Sequence, residues 1–500
     1  MKNRLLLLCL VLFIPFLMNA QTNSEAIELV QAKSLEGKQG AQSYVKLKHD
    51  VVFKQGNMYL YCDSAFQYPG TNYVEAFGRV RMVQGDTLSM TCNQLQYDGN
   101  TKNATARGNV VLIDKQTVLN TDVLQYNRVT SKVYYTQGAT IKDTDTRLKS
   151  VIGIYDTRTK QFQFKKQVVV ENSLKGFKLL SDTILYSSQT QLATFVGNTK
   201  ITTKDGTIES DHGSFHTVTN VMYFGGRARV VNGMNWIEAD RIDYDDVKQI
   251  GVASGKVHIW NVKDSIHILG EKSWYNGLRG ITYVYGNPMM YQTEGKDTLF
   301  LKSDTLYYIN DTILKVKELK AFHHVRLFRT SLQAVCDSLV YSFSDSVITF
   351  YKNPILWNDD TQLTSDTVFI FMKKNKIDRM EMHQNSFMIS IDSMRNFNQV
   401  KGRNMWAYFV NGDISRILVD GNAESIYHAL EGDKKLIGVN RANAGAIQLL
   451  FSDKKLKSVT YITNPDAKFI PPHLVTPNDK KLKGFKWEQG VRPKRRQFNL

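Results

Sequence analysis

A short phrase recurs about every thirty residues along this chain. In its clearest form it is Val118-Leu119-Asn120-Thr121-Asp122-Val123-Leu124-Gln125-Tyr126, which reads apolar, any, small, Asp, any, apolar, any, Tyr. Further copies lie around Asn93, Asp182, Asp240, Asp304, Asp337 and Asp366. Taking the Asp position as an anchor, successive copies from Lys33 to Asp366 are 29 to 33 residues apart. A second mark holds the same phase: Gly78, Gly108, Gly138, Gly197, Gly226, Gly255 and Gly286 each follow an anchor by 15 or 16 residues. A fixed period of this length means one supersecondary unit stacked many times, each copy burying its apolar face on its neighbours.

Each repeat reads as strands. Val, Ile, Thr, Tyr and Phe alternate with polar residues over short runs, and turn signals such as Asp98-Gly99-Asn100 separate the runs. The alternation changes parity within the phrase. Apolar or small residues precede the anchor at −3 and −1, whereas the apolar positions after it are +2 and +4. A strand with period two keeps one face inward across such a change only by bending or bulging there. The anchor Asp is expected to tolerate the bend, its carboxylate accepting local backbone N–H groups. If each repeat adds one strand to each of two facing sheets, the result is a long, narrow, apolar interior. Its inward pairs are Leu95 and Tyr97, Leu124 and Tyr126, Ile184 and Tyr186, Ile242 and Tyr244, and Leu306 and Tyr308. They line a groove or pack a filled core; the pattern serves both.

Residues 1–20 have the pattern of a secretory signal: Lys2 and Arg4, then an apolar run from Leu5 to Leu17, then Ala20 as a cleavage point. The run is too short to span a bilayer comfortably, so the expected product is exported to the periplasm, with association with the outer membrane as a further expectation. Cys62, Cys92 and Cys336 all occupy the −1 position, as small inward residues, or with Cys62 and Cys92 bridged. Pro288 and Pro354 each fall 17 residues after an anchor, which suits a sheet edge or a strand start. From Pro465 the texture changes to a proline cluster and then a tail rich in Lys and Arg. Such a tail reads as a solvated, mobile end, or as a contact for something anionic. The expected divisions are 1–20, 25–210, 211–464 as a continuation or second copy, and 465–500.

The formal charge of +17 favours anionic partners. In an exported protein these are phosphorylated lipids or a membrane surface, and no nucleic-acid signature is present. Asp211, His212 and His216 form a tempting cluster, but no third strong ligand lies nearby in sequence. The chain has no nucleophile elbow, phosphate loop or dinucleotide fingerprint, and no repeat carries a special constellation, so neither an enzyme nor a cofactor is expected.

Tyr61-Cys62-Asp63-Ser64-Ala65, the recurring small-Asp-x-apolar-x-Tyr phrase and Gly108-Asn109-Val110 resemble the OstA-like, or LptA-like, periplasmic proteins. The resemblance covers about 25–465. It implies an all-β, open-ended β-jellyroll that carries lipopolysaccharide, acyl chains shielded between the sheets. The open sheet edges at each end are expected sites of strand addition to partner β-jellyrolls of an export bridge or, end to end, to a second copy. The repeat runs nearly to the proline cluster, which argues against a full LptD-type translocon with its C-terminal barrel. The competing class is an exported structural or adhesive β-repeat protein without lipid cargo.

Overall fold

The computed structural model describes residues 25–498 except 41–42, 87, 296, 312, 375, 433–434 and 454. The signal-sequence expectation lies outside the described residues. These form 36 strands paired antiparallel, with no α-helix among them. The chain divides into two compact units, Met1–Leu174 and Lys175–Leu500.

In the N-terminal unit the working element is a strand of 11 or 12 residues that bends at its middle, as in Tyr44–Gln55, Met58–Tyr68, Tyr73–Gln84, Leu88–Asp98, Asn103–Asp114 and Thr117–Asn127. The last of these shows what the bend does. Its first arm pairs with Ala139–Asp143 through Thr121↔Ala139, and its second arm with Lys132–Tyr135 through Gln125↔Tyr134. One strand therefore serves two sheets, which meet along the line of bends. Each repeat places two strand arms in each sheet. This corrects the expected single strand, and the advance per repeat doubles to about 9.6 Å at ~4.8 Å per strand.

The corner is built by adjacent strands. Along Leu88–Asp98 the inward side chains step from Cys92 to Leu95, the parity change expected at the anchor. The extra residue of each bulge, however, lies on the neighbouring strand. Beside Asp63 the register passes from Tyr61↔Arg81 to Ser64↔Phe77, so two residues face three. The neighbour accommodates this with consecutive left-handed residues, here Gly78 at φ +71° and Arg79 at φ +34°. A Cβ on Gly78 would meet Asp63 Oδ2 at 2.6 Å, and one on Gly226 would meet Asp211 Cβ at 2.7 Å, so the glycine mark records the anchor side chain lying across the next strand. The expected backbone hydrogen bonds to the anchors are replaced by side-chain partners. Asp63 takes the Arg79 guanidinium at 2.7 Å, Asp366 takes Asn385, and Asp304 takes His324. Asp337 is held well below the usual carboxylate range by Ser338, Lys352 and His323. Cys62 and Cys92 are free and buried, and burial pushes their thiols up to about 12 and about 11.

The C-terminal unit repeats the scheme from Phe177–Ser187 to Asp466–Ile470, its late strands lengthening to 19 residues at Asp413–Glu431. Pro288 and Pro354 fall immediately before the strands Met289–Glu294 and Ile355–Asn358. Its main core gathers Leu306, Leu319, Leu339, Phe350, Val368, Met382, Met405, Val419 and Ile447 between the sheets.

The basic tail is not a free end. Residues 471–498 run back along the outer face of one sheet of this unit as a strap. Three glutamines at outward positions of that face read it. Gln399 donates to Lys480 O at 2.8 Å and accepts from Leu482 N at 2.9 Å. Gln362 does the same with Lys486 O and Glu488 N, both at 2.8 Å. Gln333 Oε1 accepts from Arg492 Nε at 2.8 Å. Phe498, fully buried, ends the strap against Phe300 and Phe328. Buried amides are tolerated here because both ends of two of them are satisfied by backbone.

Candidate functional site

The interior between the two sheets is closed along the bends and flanked by hairpin turns on the opposite side. Within each unit that second side is an edge open to lateral entry of a ligand, so its chemistry bears on what the interior can do.

Along the N-terminal unit the phrase tyrosines close this edge. Tyr97 OH donates to Gln55 Oε1, which ends a strand of the facing sheet. Tyr126 OH donates to Gln84 Oε1 at 2.9 Å, and Tyr155 OH to Asp114 Oδ2 at 2.5 Å. The three spans are 42, 42 and 41 residues, so the closure repeats with the fold. Burial raises the pKa of the Tyr97 and Tyr126 hydroxyls, while burial and the Asp114 carboxylate raise that of Tyr155, so all three stay protonated and donate. Arg128 joins the first two contacts, donating to Tyr97 OH at 2.7 Å in the first and to Gln84 Oε1 at 3.4 Å in the second. Lys160 joins the third, at 2.7 Å from Asp114. Behind this latch the interior is filled: Leu47, Phe53, Leu60, Leu95 and Leu124 are fully buried. A void lined by Met82, Gln84, Leu88, Met90, Leu112 and Tyr126 measures about 10 Å³, too small for an acyl segment.

Along the C-terminal unit two of the phrase tyrosines bond within their own hairpins instead of across the edge. Tyr186 OH donates to Gln191 Oε1 at 3.2 Å and Tyr244 OH to Gln249 Oε1 at 2.8 Å, each within its own hairpin. Other groups bridge this edge. Lys175 Nζ donates to Thr217 O, Phe177 rests edge-on against Phe215, and Lys317 pairs with Asp264. Elsewhere inward-facing apolar residues stay only half-buried, among them Ile208, Val230, Ile237 and Ile259. Further along, a cleft of about 300 Å³ lies between the sheets. Leu299, Leu327, Leu332, Tyr341, Ile348, Met372 and Ile377 supply its apolar lining; Gln292, Asp297, Arg329, Lys376 and Asp413 are among its polar residues.

All five inward pairs read from the sequence do point inward. Leu95, Tyr97, Leu124, Tyr126, Ile184, Ile242 and Leu306 are buried, and Tyr186, Tyr244 and Tyr308 are half-buried. The structure distributes them between a filled interior and a partly open one rather than along one uniform groove. Sequence reasoning missed Gln55, Gln84, Asp114 and Arg128. The available signal was a polar residue ending every second strand at a position that alternation makes inward. The histidine cluster resolves into ordinary contacts, His212 Nε2 lying 3.1 Å from Tyr223 OH. Among the described residues no group of three His, Cys, Asp or Glu side chains is placed to hold a metal, and no helix is long and apolar enough to cross a membrane.

Residues 24–182 match the family model described as OstA-like protein. Among curated proteins none matches the chain. The matched stretch takes in the successive tyrosine latches and the bent-strand repeat that carries them, so over residues 24–182 this chain is similar to the OstA-like family.

Proposed function

We propose that this protein is an exported lipid carrier that holds the acyl chains of lipopolysaccharide, or of another anionic lipid, between its two sheets on the way to the outer membrane. The observation that carries the reading is the apolar cleft of about 300 Å³ in the C-terminal unit, at the lower end of the roughly 300–1,000 Å³ found for ligand pockets. The OstA-like match supports it, because that family is associated with lipopolysaccharide transport. The physical task is shielding. A lipid crossing an aqueous compartment exposes its chains at about 0.8 kcal/mol per CH₂, and a sandwich with a permissive edge removes that cost without bond chemistry, so no catalytic group or cofactor is required. Lys and Arg near the edge meet the anionic head group, consistent with the net charge of +17. The exposed outer strands Glu28–Gln31 and Ser34–Lys38 are the natural place for edge pairing with another β-jellyroll or a second copy.

A second reading, an exported structural β-repeat without cargo, draws on the filled interior of the N-terminal unit. Titration with an ANS-type apolar probe, followed by competition with a lipid-A-like ligand, separates the two. Saturable probe binding displaced by the lipid is the expected result; no binding by the folded protein would leave the structural reading standing.

A further inference from the structure

The successive latches of the N-terminal unit share one architecture and differ in charge. The third is neutralised from within, since Asp114 sits at 2.7 Å from the Lys160 ammonium and accepts from Tyr155. The first two are joined by a cation whose described hydrogen bonds all go to neutral acceptors. The Arg128 guanidinium contacts Tyr97 OH at 2.7 Å, Gln55 Oε1 at 3.2 Å, Asn57 Oδ1 at 3.3 Å and Gln84 Oε1 at 3.4 Å. It is half-buried, lies over the apolar interior, and bridges both tyrosine contacts. Its backbone is fixed independently: Arg128 N donates to Lys102 O at 3.0 Å, and Asn127 Oδ1 accepts from Thr130 N at 2.7 Å in the same turn. The side chain can therefore change partners without moving the sheet.

We infer that Arg128 is the residue that reads the phosphate of an incoming lipid head group, and that doing so unfastens the edge above Leu95 and Leu124. This rests on the lipid-carrier reading and deepens it. A guanidinium pairs with a phosphate through two parallel hydrogen bonds in which donor and acceptor are both ionised, a geometry and a charge match that neutral oxygens do not offer. A phosphate monoester at the edge thus outcompetes the phenol and the amides for the same donors. Tyr97 and Tyr126 then lose their shared cationic neighbour and keep only neutral contacts to Gln55 and Gln84. The interior is filled while Arg128 faces inward, so the head group must be engaged before chains can enter. Lipids without a phosphate or similar anion leave the latch closed, which makes Arg128 a specificity determinant rather than a general site of attraction.

The test uses the full chain, an environment-sensitive acyl probe attached beside Leu124, and three ligands: a phosphorylated lipid-A-like molecule, its dephosphorylated counterpart and inorganic phosphate. The wild-type protein is expected to take the phosphorylated lipid about tenfold or more tighter than the dephosphorylated one, a difference of about 1.4 kcal/mol, with inorganic phosphate giving no probe response. Arg128→Gln is expected to bring the two lipids within about threefold of each other and to raise uptake of the dephosphorylated one. Arg128→Lys, which keeps the charge and guards against a misfolded variant, retains part of the preference. An Arg128→Gln protein that keeps the wild-type ratio overturns the assignment while leaving the carrier reading intact. A response to inorganic phosphate alone makes Arg128 a free-anion site and overturns the head-group role. Failure of the wild-type protein to bind either lipid overturns both.

Discussion

The two units carry the same bent-strand repeat and bridge its open edge with different groups. In the N-terminal unit Tyr97, Tyr126 and Tyr155 reach the facing sheet, and the void beside Tyr126 measures about 10 Å³. In the C-terminal unit Tyr186 and Tyr244 bond glutamines of their own hairpins, inward isoleucines are only half-buried, and a cleft of about 300 Å³ opens further along. A repeat can thus keep its backbone while the hydroxyl of its tyrosine takes a partner across the edge or within its own hairpin. The difference lies in the partner: a polar residue ending the facing strand draws the tyrosine across, whereas a glutamine five residues after the tyrosine holds it back.

The largest expected contrast is in the interior. Leu124→Ala removes a fully buried side chain from a filled core and should cost about 2–5 kcal/mol. Ile237→Ala, whose side chain is half-buried, should cost about 1 kcal/mol. Hydrogen exchange read unit by unit checks this, because a repeat stack need not unfold in one step. Equal losses would break the distinction.

The latch comes next. Tyr97→Phe leaves Gln55 and Arg128 short of a buried partner and should cost about 1–3 kcal/mol, whereas Tyr244→Phe should cost less than about 1 kcal/mol. Uptake of an apolar probe should rise in the first variant and stay level in the second.

The strap sharpens the comparison from outside. Gln362→Leu removes the amide that satisfies Lys486 O and Glu488 N and should cost about 1–2 kcal/mol. Faster proteolysis within 478–498, with probe uptake unchanged, would show that the outer face and the interior are independent.

The smallest effect is in pH. Burial holds His258, His267 and His428 below the usual histidine value, and all three are in the C-terminal unit. The groups facing them include Glu238 across from His258, and Asp392 and Lys480 near His428. With folded values depressed, the unfolded chain binds more protons as the pH falls through about 6.5. Stability conferred on the C-terminal unit should therefore be present above that pH and diminish below it. The N-terminal unit contains a single histidine, His49, and should change less over the same window. Parallel melting of both units between pH 7.5 and 5.5 would contradict this.

How much of this was legible in the sequence follows from the range of the interactions. The period, the strands and the inward parity of Leu95, Leu124 and Ile184 are local, because alternation alone assigns a face. The glycine mark was visible, but its cause, an anchor side chain lying across the next strand, needed coordinates. The latch could not be read from the tyrosines alone: Tyr97 and Tyr244 occupy the same place in the phrase, and their partners lie 42 residues back and five residues on. The strap was hidden for a different reason. Gln333, Gln362 and Gln399 stand at outward positions where a polar residue is ordinary, and a Lys- and Arg-rich tail has the same composition whether solvated or docked. Only the pairing of each amide with the tail backbone tells the two apart.

The most direct test of the account is photo-crosslinking in cells from Ile348, which lines the cleft, with Val340, outward-facing on the neighbouring strand, as control. A lipid adduct from position 348 and none from 340 is the expected result. No adduct from 348 in a folded, exported protein would mean that the cleft carries no lipid, and the cargo-free structural reading would replace it.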